Sequence, residues 1–159
     1  MTNWLYLMTK RPGFPEPLGE IATLGALSET GEVCLLLAGG PHPPMSGARP
    51  GDSVLLCTRG DDKLLRKHAV ARVGAPPVFY PEPPEHLRGL YPDANGRLFL
   101  PLVDFTVVPT ETVSEMTVDQ QRTMAAGQAY VRRLDRPINP PRAPRPSVTV
   151  RSAPRAVTR

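Results

Sequence analysis

Arg49-Pro-Gly-Asp-Ser-Val-Leu-Leu-Cys-Thr58, followed by His68-Ala-Val-Ala-Arg-Val-Gly74, is the stretch that decides the fold class. Gly51 permits a tight turn, and the Asp52 carboxylate can accept backbone N–H bonds within it. Residues 52–58 and 67–73 are both β-prone. They pair as an antiparallel hairpin across Arg59-Gly-Asp-Asp-Lys63, which carries the residues a hairpin loop needs. Upstream, Asn3-Trp-Leu-Tyr-Leu-Met8 reads as a first strand, stopped by Arg11-Pro-Gly13.

Outward from this core the pattern is of short elements. Residues 18–27 form a short helix with Ile21, Leu24 and Leu27 at helical spacing, and residues 32–38 form an apolar strand buried on both faces. Residues 39–47, rich in proline and glycine, make a long loop. Pro76-Pro77 ends regular pairing, and residues 83–88 form one helical turn. Residues 97–108 are the longest β-prone run, and Pro101 inside it points to a bulge or an edge position. Thr117-Val-Asp-Gln120 has the form of a capping box, opening a C-terminal helix that runs to about Leu134. The fold class is thus mainly β with peripheral helices (α+β).

Length and composition bound the organisation. A chain of 159 residues with 40% hydrophobic content fits one folded domain, placed at residues 1–135. The 21 prolines and 13 glycines favour turns and short strands over long helices. Residues 1–135 hold every acid of the chain and carry a net charge of −2, whereas residues 136–159 hold six arginines and no acid. The basic balance is therefore a property of the tail, which is too poor in apolar surface to offset ordering entropy and is expected to be disordered. Cys34 and Cys57 lie in apolar runs without metal-ligand or disulfide-framework spacing, and free thiols are expected. The N-terminus lacks a signal-peptide pattern and no apolar run reaches membrane-spanning length, so a cytoplasmic protein with no membrane partner is expected.

The Gly-Asp turn before a central strand, the basic residue ahead of it at Arg49, and a tryptophan in the first strand together resemble PUA-like barrels of the EVE, ASCH and YTH kind, closest to EVE, over residues 1–115. The resemblance implies a small β-barrel that binds one base of RNA or DNA, in some cases modified, in a pocket between strands. Trp4 is the residue it places beside the base, where an indole face would contribute about 1–3 kcal/mol of stacking. Tyr6 shares Trp4's face of the strand by alternation. Thr58 and Arg59 occupy the end of the strand where EVE domains carry polar pocket residues, and Arg49 completes the candidate set. Each has a plainer reading: Trp4 and Tyr6 as core side chains, Asp52 as an architectural turn residue.

The tail arginines Arg142, Arg145, Arg151 and Arg155 can contact phosphates; four such contacts imply a log-affinity slope against log-salt of roughly −3 to −4. The tail can equally serve as a solvated extension or an arm for a protein partner. Catalytic and cofactor readings find little. His42, His68 and His86 lack clustered metal-ligand spacing, Asp61-Asp62 and Glu82 with Glu85 are loop carboxylates, and no phosphate-binding glycine motif occurs. No cofactor and no metal are expected. The Gly-x-Lys-x-x-Glu-x-Arg pattern of ASCH domains is missing, which makes a hydrolase or nuclease the most distant reading. Two functions stay open: a non-catalytic nucleic-acid binding module, and a protein-interaction or adaptor protein, for example of phage or mobile-element type, that docks through the proline-rich loop, Phe79-Tyr80 and the tail.

Overall fold

The structure, a computed structural model, describes residues 1–37, 45–127 and 130–139, and among these seven strands form one sheet. The elements in order are β1 (Asn3–Leu7), α1 (Pro17–Ser28), β2 (Val33–Leu36), β3 (Ser53–Arg59), β4 (Leu65–Val73), β5 (Val78–Tyr80), α2 (Glu85–Leu90), β6 (Arg97–Thr112), α3 (Val118–Ala126) and β7 (Val131–Arg133). The hydrogen-bonded order is β2-β6-β4-β3-β1-β7, with β5 beside β6. This path is open: β2 lies at one end and β7 at the other.

The expected hairpin is β3–β4, antiparallel from Ser53↔Arg72 to Arg59↔Leu65. β1 runs parallel to β3, from Asn3↔Ser53 to Leu7↔Cys57. Strand alternation divides the apolar residues between layers. Trp4, Tyr6, Val54, Leu56, Val33, Leu35, Leu100 and Leu102 enclose one core with Ile21 and Leu24 of α1. Leu5, Leu7, Leu55 and Cys57, on the opposite face, pack with Met124 of α3 and with Leu134. A third cluster joins Leu36 and Phe99 to Leu87 and Tyr91 around α2, which is why β2 is apolar on both faces. A fully buried leucine contributes about 1.5–3 kcal/mol, so β1 is held from both sides.

Three expectations are corrected. The helix opened by Thr117 stops at Ala126 and does not reach Leu134. Its capping box is present, with Thr117 accepting from the Gln120 N–H and Gln120 reaching back to the Thr117 N–H, but Gly127 turns extended and ends it. Val131–Arg133 then takes the open edge of β1, antiparallel, Trp4↔Arg133 to Tyr6↔Val131. Second, Pro101 is not at a bulge and not on an outer strand; it pairs with Cys34 of β2 on one side of β6 and on the other meets a break in the ladder between β4 and β5. Its carbonyl accepts from Gly74 N–H at 2.9 Å, so its missing N–H faces the gap where β4 has ended at Val73 and β5 has not begun. Third, pairing resumes after Pro76-Pro77 as β5, antiparallel to β6.

Residues 136–139, assigned to the tail by composition, lie against the body: Asn139 N–H donates to Glu115 at 2.8 Å and its side-chain amide to Ser114 at 2.7 Å. The remainder of the tail, with Arg142, Arg145, Arg151 and Arg155, lies outside the described residues, as do residues 38–44 of the proline-rich loop and His42 within it. Both cysteines are free thiols. No helix among the described residues is long and apolar enough to cross a membrane.

Candidate binding groove

The five candidate residues of the body separate to opposite ends of the parallel β1–β3 pair. At its start, Asp52 is buried and ties the N-terminal strand down. Its carboxylate accepts from Thr2 N–H at 2.9 Å, Arg49 N–H at 3.0 Å and the Trp4 indole N–H at 3.1 Å. Desolvation pushes its pKa up, but these donors and the N-terminal charge outweigh that and hold the carboxyl below its usual range. Trp4 is only 4% exposed, with the Arg133 guanidinium 5.2 Å from its ring centroid. An indole so covered offers no face to a base, and the expected stacking role gives way to packing. Arg49 is exposed at this same end, and its backbone serves the Asp52 turn.

At the other end the chain builds a groove. β1 runs out into Met8, Thr9 and Lys10 and turns back through Arg11–Phe14, whose backbones bond reciprocally at 3.2 and 2.9 Å. Gly13 sits at φ +91°, and a Cβ there would come 2.8 Å from the Leu90 carbonyl oxygen, so this turn presses on the end of α2 only as glycine. The turn delivers Arg11 beneath the groove. Its guanidinium donates to Leu36 O at 2.8 Å and to the Tyr6 hydroxyl at 3.1 Å, and its Nε lies 3.1 Å from Glu20 Oε1. Glu20, fully buried on α1, also accepts from the Tyr91 hydroxyl at 2.6 Å. Burial raises the Glu20 pKa, opposed by Arg11 and by the Tyr91 bond; burial likewise raises that of Tyr6. The network is a buried polar floor that fixes Tyr6.

Two adjoining cavities open above it. The inner one, about 260 Å³, is lined by Tyr6, Arg11, Leu36, Asp93, Arg97 and Tyr130, among others. The outer one, about 550 Å³, is lined by Lys10, Glu16, Leu18, Thr58, Arg59 and Tyr130, among others. Thr9 and Tyr130 belong to both. The groove thus takes in Thr58 and Arg59, with Tyr6 a buried part of its floor at 2% exposure, and leaves Trp4 and Arg49 out. Its outer part holds two cations, Lys10 and Arg59, against one carboxylate, Glu16.

Thr58 is set by an irregularity. Between Leu56 and Cys57 the β3–β4 register shifts, and β4 leaves His68 without a partner in either ladder. The imidazole bridges Thr58 Oγ1 at 2.7 Å and Thr110 Oγ1 at 3.1 Å, and burial lowers its pKa, which favours the neutral ring. Arg59 donates at 3.4 Å to Gly127 O. Arg11, Asp93, Arg97 and Tyr130 were not singled out from the sequence. Arg11 reads from the sequence only as part of a strand-ending turn, Arg97 as the start of the long β-prone run, and Tyr130 as part of the expected helix.

Elsewhere, of the Phe79-Tyr80 pair, Phe79 is 56% exposed, whereas Tyr80 packs edge-on against Phe99 at 5.6 Å. Among the described residues no three His, Cys, Asp or Glu side chains gather to hold a metal ion. Compared with models of known families and with curated proteins, the chain matches none.

Proposed function

We propose that the protein is a non-catalytic nucleic-acid binding module of PUA-like form that captures one base of an unpaired strand in the groove beside Tyr6 and Tyr130. The observation that carries this reading is that Tyr6 of β1 and Thr58 and Arg59 at the end of β3 line two cavities that share Thr9 and Tyr130. The outer cavity, at about 550 Å³, is within the ~300–1,000 Å³ of small-molecule sites. Its cations Lys10 and Arg59 suit a phosphate, and the half-open ring of Tyr130, 37% exposed, suits a base face. The barrel form has its own support: Tyr6 on β1 donates to Leu36 O on β2 at 3.3 Å, although β1 and β2 are not neighbours in the ladder, so the sheet curls toward itself. A cytoplasmic setting and an arginine tail that adds unspecific phosphate affinity complete the proposal.

The test is fluorescence anisotropy of labelled single-stranded and duplex RNA and DNA with the full chain and with Tyr130→Ala. Loss of one stacking partner weakens single-strand binding about 5- to 150-fold. Unchanged affinity in this variant would remove the groove from consideration. A second reading, protein docking, is favoured by Phe79, 56% exposed on β5. It predicts that Phe79→Ser, and not Tyr130→Ala, abolishes partner capture.

A further inference from the structure

The inner cavity has a chemistry more specific than its size. At about 260 Å³ it lies just below the ~300–1,000 Å³ of small-molecule sites, room for one planar fragment, with the rest of a nucleotide left to the outer cavity. The Tyr6 hydroxyl and the Arg11 guanidinium are occupied with each other, Leu36 O and Glu20. Arg97 is different. One terminal nitrogen donates to Leu37 O at 2.5 Å, while its Nε–H is buried without a hydrogen-bond partner.

The second polar group is Asp93, whose carboxylate has no hydrogen bond or ion pair among the described residues. It stands at φ +62° in the turn before β6. A fitting occupant therefore presents acceptors toward a guanidinium and donors toward a carboxylate. Among the common bases guanine alone does both in pairs: O6 and N7 accept side by side from an arginine fork, and N1–H and the N2 amine donate side by side to a carboxylate. Adenine offers N7 next to an N6 donor, which faces an arginine with the wrong sign, and cytosine, whose O2 and N3 accept side by side, has only its N4 amine and no ring N–H beside it for the carboxylate.

Resting on the groove reading above, we infer that the base taken by the inner cavity is guanine, read by Arg97 on its O6/N7 edge and by Asp93 on its N1/N2 edge. The experiment measures binding of the full chain to labelled oligothymidylates with one central G, A, C or inosine. Guanine binds about 5- to 150-fold more tightly than adenine or cytosine, the discrimination of one good bidentate pair. Inosine, which lacks the N2 amine, falls between them. Asp93→Asn keeps the positive φ, which asparagine tolerates, and it collapses the difference between guanine and inosine while leaving adenine binding within twofold. Equal binding of the four bases, or a guanine–inosine difference that survives Asp93→Asn, overturns the inference. Tyr130→Ala separates the two levels: if it weakens all four oligonucleotides while guanine is not preferred, the groove stands and the base assignment falls, and if it weakens none, both fall.

Discussion

Asp52→Asn tests the knot that locks Trp4 into the core. The wild-type carboxylate takes two donors on Oδ2, from Trp4 and Arg49, and one on Oδ1, from Thr2. An asparagine has one oxygen. Placed at Oδ2 it keeps the Trp4 and Arg49 bonds without charge assistance, and its amide faces the Thr2 N–H, donor against donor. Hydrogen bonds to charged groups contribute roughly 1.5–3 kcal/mol and neutral ones roughly 0.5–1.5. Two weakened bonds and one lost, with Thr2 partly open to water, give about 2–4 kcal/mol, or roughly 5–15 °C in Tm for a chain of this size. The assay is urea unfolding followed by Trp4 emission, since the only tryptophan sits at the perturbed site. The acid dependence has a definite sign. The folded Asp52 pKa is depressed, so its stabilisation is complete above the unfolded value of about 3.9 and is lost as pH falls through the folded value. The gap between wild type and variant is full at pH 7 and closes below about pH 4. A loss under about 0.5 kcal/mol at pH 7, or a gap independent of pH, refutes the reasoning.

Three further variants probe the buried polar contacts. Glu115→Ala strands the buried Lys67 ammonium, which loses its 3.1 Å partner and keeps Glu111 at 3.5 Å, and it releases Asn139; denaturant titration records a loss of about 3 kcal/mol. The double variant Lys67→Met/Glu115→Leu recovers most of it, because an apolar pair of similar volume asks for no desolvation. Tyr91→Phe removes the hydroxyl that donates to Glu20, costs about 1–3 kcal/mol by thermal unfolding and leaves the Glu20 carboxyl higher still.

What could be read from the sequence was whatever had a local cause. The β3–β4 hairpin announced itself through Gly51-Asp52 and the charged loop, α3 through its capping box, and β1 through its aromatic run. Long-range causes were hidden. Val131–Arg133 is a strand because β1 has an open edge, and the spacing of Met124, Val131 and Leu134 serves a helix equally well. Pro101 sits centrally because β4 has already ended opposite it, which only the register reveals. The parallel β1–β3 pair has no turn signal at all, yet it sends Trp4 to one end and Thr58 to the other. For the same reason the groove was half legible: Tyr6, Thr58 and Arg59 are strand residues placed by alternation, whereas Arg11, Asp93, Arg97 and Tyr130 meet them only through turns and pairings made at a distance.

The central claim is that the groove at the end of β1, and not the face of Trp4, receives a nucleotide. The most direct measurement is an amide NMR titration of the full chain with a short single-stranded oligonucleotide. Shifts concentrated at Thr9, Lys10, Thr58, Asp93, Arg97 and Tyr130, with the Trp4 indole resonance unmoved, are the predicted result. Shifts confined to residues 140–159, or centred on Trp4 and Arg49, contradict it.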